Sequence, residues 1–151
     1  VTRETLRKFI QSLSSDFRWA IEFRQPQWLA TEVLDQLRRR NVALALVDGR
    51  WIKRAVVLDL ALEPTADFAY LRWSGPARRA TDPTRTPVDR TREIGAWADV
   101  ARALGERVGN VFGYFSDHFQ GHGPASARQM QQLLGIAPVE PAMLREQAEL
   151  F

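Results

Sequence analysis

The chain has 151 residues, of which 45% are hydrophobic and 26% charged, an ordinary composition for one globular domain that argues against disorder. Its 21 basic and 18 acidic residues leave a net charge of +3, too mixed a balance to indicate nucleic acid as the partner. Cysteine is absent, which excludes disulfides, thiolate metal sites and a cysteine nucleophile, and a cytoplasmic location is expected. No apolar run reaches the ~18 residues of a membrane helix, so we expect no membrane partner.

In chain order, the apolar residues alternate between helical and strand periodicity. Thr2 can cap a first helix, whose inward residues would be Leu6, Phe9, Ile10 and Leu13. Strands are predicted over residues 19–24, 42–47, 68–73 and 108–115. Between and after them, helices are predicted over 31–40, over 54–62, around the inward residues Ile94, Trp97, Ala98, Ala101 and Leu104, and over 124–134, where Gly135 ends the last one.

This alternation indicates an α/β fold in which the strands form a parallel sheet with right-handed crossovers. No low-complexity linker divides the chain, so residues 1–151 are expected to form a single domain. The chain begins at Val1 without an initiator Met and already at a predicted helix, from which we expect a processed or partial chain.

Three segments resemble a known family, namely residues 22–29 (EFRQPQWL), 66–75 (ADFAYLRWSG) and 114–127 (YFSDHFQGHGPASA). In content, order and spacing they are similar to the YecE-like family, domain of unknown function 72 (DUF72). The resemblance implies a parallel (β/α) barrel of the triosephosphate isomerase (TIM) type, of which this chain would supply the last four of eight β/α units. A half barrel leaves two sheet edges and an apolar interior open, so we expect the N-terminal half barrel or a second copy of the chain as partner.

The family brings no settled activity with it, and the chain departs from the family pattern at several positions. Gln25 stands where His is common, and Ser74 stands where His often follows the strand arginine. Ser116 and Asp117 replace a common Asn-Asn pair. A mechanism that needs those family histidines therefore does not carry over directly.

Polar residues stand where each predicted strand ends. Glu22 and Arg24 end the first strand, Asp48 the second, Arg72 the third, and Asp117 with His118 the fourth. Barrels of this type bind ligands at the C-terminal strand ends. We therefore predict Glu22, Asp48 and His118 as candidate catalytic residues, and Arg24, Arg72 and Asp117 as binding residues for an anionic substrate. The alternative is a structural ion network among Glu22, Arg24, Arg72 and Asp48. For Asp48 alone, a cap of the turn that follows it is the favoured interpretation.

The start of the last predicted helix offers a second anion site. Residues 123–126 leave free backbone N–H groups, which attract phosphate or carboxylate, and His122 and Ser126 lie beside them. An ordinary capped helix is the alternative. His118, His122 and Asp117 also have the chemistry of metal ligands, but the glycines among them favour a loop, so no metal is predicted and no cofactor is required.

Aromatic and basic residues give two further hypotheses. Trp28, Trp51 and Trp73 are predicted near loops and can stack on a sugar or base, although Trp28 can instead anchor its own turn. Trp19 and Trp97 are expected in the core. An Arg-rich stretch after the third strand can form a cationic lid or a solvated loop, and it includes Arg78, Arg79, Arg85, Arg90 and Arg92.

The leading functional hypothesis is an enzyme that acts on a small phosphorylated or otherwise anionic molecule at the barrel mouth. Glu22 would be the acid or base, and Arg24 and Arg72 would hold the anion. Hydrolysis and isomerisation fit equally well, because the fold does not choose between them. The alternatives are a non-catalytic binding module for nucleic acid or an acidic protein, and a chain that is inactive without its other half.

Overall fold

The computed structural model describes residues 1–75 and 88–138. Within these ranges the strands are β1 (Ala20–Ile21), β2 (Ala43–Gly49), β3 (Phe68–Gly75) and β4 (Asn110–Phe115). The helices are α1 (Arg3–Ser12), α2 (Thr31–Arg39), α3 (Arg54–Ala61), α4 (Thr91–Gly105) and α5 (Gly123–Leu133), and a 3-10 turn spans Pro26–Leu29. No helix of the described ranges combines the length and the apolar character that a bilayer crossing needs.

The strands form one parallel sheet in the order β1, β2, β3, β4, so each strand pairs with its neighbours in sequence. Ala45 of β2 lies beside Tyr70 of β3, and Tyr70 lies beside Phe112 of β4. Helices separate consecutive strands, as parallel connections require. The predicted α/β architecture is therefore confirmed, as a four-stranded parallel half barrel.

Side chains alternate across the sheet and give it two different faces. On the convex face, Leu46, Leu71 and Trp73 belong to a core cluster that the helices complete with residues such as Leu37 and Trp97. The concave face carries the intervening residues of the same strands. The predicted inward residues of α4 are all buried, which fits the near-continuous apolar sequence of a sheet covered by helices.

Asp48 lies on the convex face, where its side chain is only 7% exposed. Its Oδ2 accepts a hydrogen bond from Arg54 Nε at 2.6 Å and another from Trp97 Nε1 at 2.8 Å. The interpretation of Asp48 as a cap of the following turn is therefore wrong, because alternation from Leu46 turns its carboxylate towards Arg54 of α3 and Trp97 of α4. This carboxylate ties β2 to both helices.

Several expectations fail at the edges of the half barrel. The first strand was expected over residues 19–24, but its ladder is two residues long, since among residues 1–75 and 88–138 β1 pairs with β2 alone and the chain turns at Pro26. Trp19, expected in the core, is partly exposed at this edge, and its Nε1 donates to the Ser14 carbonyl. Phe9 was expected to face inward but is 51% exposed, whereas Leu6 and Ile10 are the buried residues of α1.

Among the aromatic residues, Trp73 differs most between its predicted and its observed position. It was expected near a loop as a stacking platform, but it is buried in β3. Its ring stacks on Phe115 with centroids 4.1 Å apart and meets Trp97 edge to face at 5.7 Å. Trp97 lies in the core as predicted.

The end of β3 is packed closely against the loop that follows β4. Gly75 has a φ of +69°, and a Cβ added there would lie 2.7 Å from Phe119 Cα and closer still to the His118 carbonyl. Only glycine fits both this backbone conformation and this space. Gly75 therefore sets how closely the end of β3 approaches the loop that follows β4.

Replacing Asp48 with Ala should lower the free energy of unfolding by about 2–3 kcal/mol, because it leaves Arg54 and the buried Trp97 N–H without their acceptor. Asp48→Asn, which keeps an acceptor oxygen, should cost less. Urea unfolding followed by circular dichroism measures both. Asp99→Ala, which breaks an exposed ion pair with Arg102, is the control and should change little. Equal stabilities for Asp48→Ala and the control would contradict this role for Asp48.

Gly75→Ala should destabilise the fold by roughly 3 kcal/mol or more, since it combines backbone strain with a backbone collision. Gly95→Ala in α4 is the matched control, because a Cβ there meets open space. In a helix interior this change should instead stabilise by roughly 0.5–1 kcal/mol. Thermal unfolding of the two variants should show melting temperatures that move in opposite directions.

Candidate functional site

An open cavity of about 450 Å³ lies against the concave face of the sheet. Parallel strands all contribute their alternate residues to this face, so the cavity receives side chains that are far apart in sequence. It is lined by Arg18, Ala20, Glu22, Ala45, Phe68, Tyr70, Arg72, Phe112 and Tyr114. Two of the predicted site residues, Glu22 and Arg72, are therefore in its wall.

Glu22 is the centre of an ion cluster at the C-terminal end of this cavity. Its Oε2 accepts a hydrogen bond from Arg72 Nη1 at 2.7 Å, and its Oε1 accepts one from Arg24 Nε at 3.3 Å. Two guanidinium groups around one carboxylate leave a net charge of +1. The Glu22 side chain is 21% exposed, against 44% for Arg72 and 64% for Arg24, so both arginines keep N–H donors that solvent can reach.

Two tyrosines that were not predicted complete the wall beside Arg72. Tyr70 precedes Arg72 by two residues and so shares its face, and Tyr114 is the register partner of Arg72 on β4. Their rings stack with centroids 5.0 Å apart and planes at 29°. Strict alternation along β3 and β4 could have found both residues, because each stands two positions from another concave residue.

The opposite end of the cavity carries Arg18, which was not predicted either. Arg18 Nη1 donates to Asn110 Oδ1 at 2.7 Å, and its guanidinium lies over the rings of Phe68 and Phe112 at 5.7 and 6.0 Å. A residue just before β1 thus reaches the first residue of β4. This contact shows how strongly the sheet curves, which the sequence pattern does not reveal.

The candidate aromatic residues near the loops differ in their accessibility. Trp28 packs on Phe23 with nearly parallel rings and centroids 6.1 Å apart, so it anchors its own turn. Trp51 is exposed, and the guanidinium groups of Arg50 and Arg24 lie 4.1 and 5.7 Å from its ring centroid. Trp51 rather than Trp28 therefore extends the Glu22 cluster outward.

The remaining predicted residues lie away from this cluster. Asp48 faces the helices and does not meet Glu22. Asp117 Oδ1 accepts the Gly123 backbone N–H at 2.7 Å, so a carboxylate of the chain itself contacts the start of α5. Ser126 is fully buried, and its hydroxyl donates to Gln120 Oε1 at 2.7 Å. The predicted anion site at this helix start is therefore already satisfied internally.

His118 and His122 do not form a metal centre in the described part of the chain. His118 is exposed, and its backbone N–H donates to Ser116 Oγ at 3.2 Å. His122 directly precedes α5 and is partly exposed. Across residues 1–75 and 88–138, no three His, Asp or Glu side chains are grouped so that they could hold a metal ion.

The predicted cationic lid is only partly described. Arg78, Arg79 and Arg85 lie outside the described residues. Arg90 is largely buried, where it pairs with Glu93 at 3.7 Å and lies over the Phe119 ring at 5.0 Å. Arg90 is therefore part of the packing between α4 and the loop after β4.

The fold is shared with solved structures. A DUF72 family protein of Thermotoga maritima has a TM-score of 0.67 and 22% sequence identity, over 89% of this chain and 53% of that one. A DUF72 family protein of Enterococcus faecalis, seen in two crystal structures, has a TM-score of 0.66 with 19% and 21% identity. These two matches cover 91% of this chain and 55% and 57% of those chains.

The chain thus spans a little over half the length of the solved structures that it matches. A comparison with curated proteins finds no match. The family model described as "Protein of unknown function DUF72" matches residues 1–149, almost the whole chain. The resemblance carried by the three sequence segments is therefore confirmed, and the chain belongs to the DUF72 family.

Proposed function

We propose that this chain provides one wall of a site where a small phosphorylated or otherwise anionic substrate binds and undergoes proton transfer. Arg72 and Arg24 would hold the anionic group, and Glu22 would be the acid or base. The observation that carries the proposal is the contact of one part-buried carboxylate with two accessible guanidinium groups, at 2.7 and 3.3 Å, at the end of an open cavity.

The charge balance of the cluster supports anion binding. Arginine offers five N–H donors in a planar fork that matches phosphate or carboxylate oxygens. Glu22 engages one nitrogen of each arginine, so most of their donors stay available. The excess positive charge then favours a further anion over a cation at this position.

The same contacts suggest how the carboxylate would become available for chemistry. An anionic substrate that binds Arg72 competes with Glu22 for the guanidinium group and weakens the 2.7 Å contact. The Glu22 oxygen released in this way stays next to the anion that Arg72 binds. It can then accept a proton from the substrate. Hydrolysis and isomerisation both include such a step.

Arg72→Ala should weaken the binding of inorganic phosphate or of a sugar phosphate by about tenfold or more, since it removes a charge-assisted hydrogen bond of about 1.5–3 kcal/mol. Glu22→Gln should bind these anions at least as tightly as the unaltered chain, because it removes the competing negative charge. Isothermal titration calorimetry at low ionic strength measures both affinities. Arg102→Ala, far from the cavity on the exposed face of α4, is the control and should leave the affinity unchanged.

Two other outcomes would oppose the proposal. If both variants lose stability in urea and no anion binds, the three residues are a structural ion network. If the chain binds an oligonucleotide or an acidic protein with a steep salt dependence that Glu22→Gln does not alter, it is a non-catalytic binding module.

A further inference from the structure

Trp51 lies on the short connection between β2 and α3, beside the Glu22 cluster. β2 ends at Gly49 and α3 begins at Arg54. The hydrogen bond from Arg54 Nε to Asp48 Oδ2, at 2.6 Å, closes this connection at its base. A connection that is held at both ends keeps the Trp51 ring close to the C-terminal ends of the strands.

Two observations connect the Trp51 ring to the proposed anion-binding groups. Arg24, which donates to Glu22, has its guanidinium carbon 5.7 Å from the centre of the Trp51 ring. Glu22 and Trp51 also line one small cavity, together with apolar residues such as Phe23 and Ile52. A molecule whose anionic group binds Arg24 therefore has its next atoms beside the indole.

The size of this small cavity decides which part of Trp51 a ligand can contact. Its volume is about 20 Å³, which is enough for one water molecule but not for a ring. The Arg50 guanidinium lies over the indole at 4.1 Å. Trp51 is nevertheless 46% exposed, so part of the indole stays open to solvent. A ligand ring would therefore lie on the exposed surface of Trp51, outside the small cavity.

We infer that the anionic substrate of the proposed site is a phosphorylated ring sugar. The inference rests on the proposed function, because it uses the same anion-binding residues. The phosphate would bind Arg24 and Arg72, and the C–H groups of the sugar ring would pack on Trp51. The face of an aromatic ring carries partial negative charge, which attracts the slightly positive C–H groups of a sugar.

A sugar also supplies hydroxyl groups that this site can bind. An ionised Glu22 is a hydrogen-bond acceptor only, and an anion that binds Arg72 frees one of its oxygens. A sugar hydroxyl can then donate a hydrogen bond to that oxygen. The phosphate, the C–H groups and the hydroxyls of one small molecule thus match the arginines, the indole and the carboxylate.

Calorimetry with matched ligands tests the inference. Glucose 6-phosphate and glycerol 3-phosphate are both phosphate monoesters with hydroxyl groups, but only the first has a ring. The unaltered chain should bind glucose 6-phosphate more tightly by about fivefold or more, because the ring adds a contact with the indole. Trp51→Ala should remove this preference and leave the affinity for inorganic phosphate unchanged, whereas Trp51→Phe should retain part of it. Phe9→Ala, which removes an exposed ring on α1, is the control and should change none of these affinities.

The outcomes separate a failure of this inference from a failure of the proposed function. Equal affinities for the two esters, with phosphate binding that Arg72→Ala still weakens, overturn the sugar and keep the anion site. An equal loss for phosphate and for both esters in Trp51→Ala means that the ring only positions Arg24, which also overturns the inference. No binding of inorganic phosphate to the unaltered chain overturns the proposed function and the inference with it.

Fluorescence gives a second readout that a structural role of Trp51 would not change. Acrylamide quenches the emission of exposed indoles. Glucose 6-phosphate should protect part of the tryptophan emission from acrylamide, and glycerol 3-phosphate should protect less. In Trp51→Phe this protection should disappear, because the other exposed indole, Trp19, precedes β1 at the opposite end of the sheet. Protection that persists in Trp51→Phe contradicts the inference.

Discussion

Side-chain alternation along four parallel strands determines both the stability of this chain and its candidate site. On the convex face, the alternate residues of β2 and β3 pack under the helices and form the core. The intervening residues of the strands point to the concave face, where small, aromatic and charged side chains line one cavity. A shift by a single residue would exchange these two faces, so the register that buries Leu71 and Trp73 is the same register that presents Tyr70 and Arg72.

Asp48 and Glu22 show how one rule produces two chemically different carboxylates. Both lie near the ends of neighbouring strands, yet Glu22 shares the concave face with Ala45, whereas Asp48 shares the convex face with Leu46. Asp48 is buried and accepts hydrogen bonds from a buried tryptophan N–H and an arginine between the sheet and the helices. Glu22 meets two arginines at an open cavity. The first arrangement favours rigidity, while the second leaves its partners accessible to a ligand.

Most of the architecture could be predicted from the sequence because its signals are local. Apolar periodicity located the helices and strands to within a few residues, and the order of elements was enough to indicate a parallel sheet. The site was predicted less completely. Glu22, Arg24 and Arg72 were predicted because all three end strands. Alternation back from the strand ends would have added Tyr70 and Tyr114, whereas Arg18 depends on the curvature of the sheet. The hydrogen-bond partners of Asp117 and Ser126 could not be predicted, because the loop that brings them together has no periodic signal.

The loop after β4 is held by hydrogen bonds to the start of α5, in which the Gly123 N–H donates to Asp117 and the Ser126 hydroxyl donates to Gln120, and it is packed against Gly75. Its backbone entropy is therefore lost when the chain folds. A ligand that arrives at this end of the sheet meets a loop that is already ordered, so its binding carries little further entropic cost from this segment. A preordered loop of this kind favours fast association and selective binding, because adapting its conformation to a poorly matched molecule would break these hydrogen bonds.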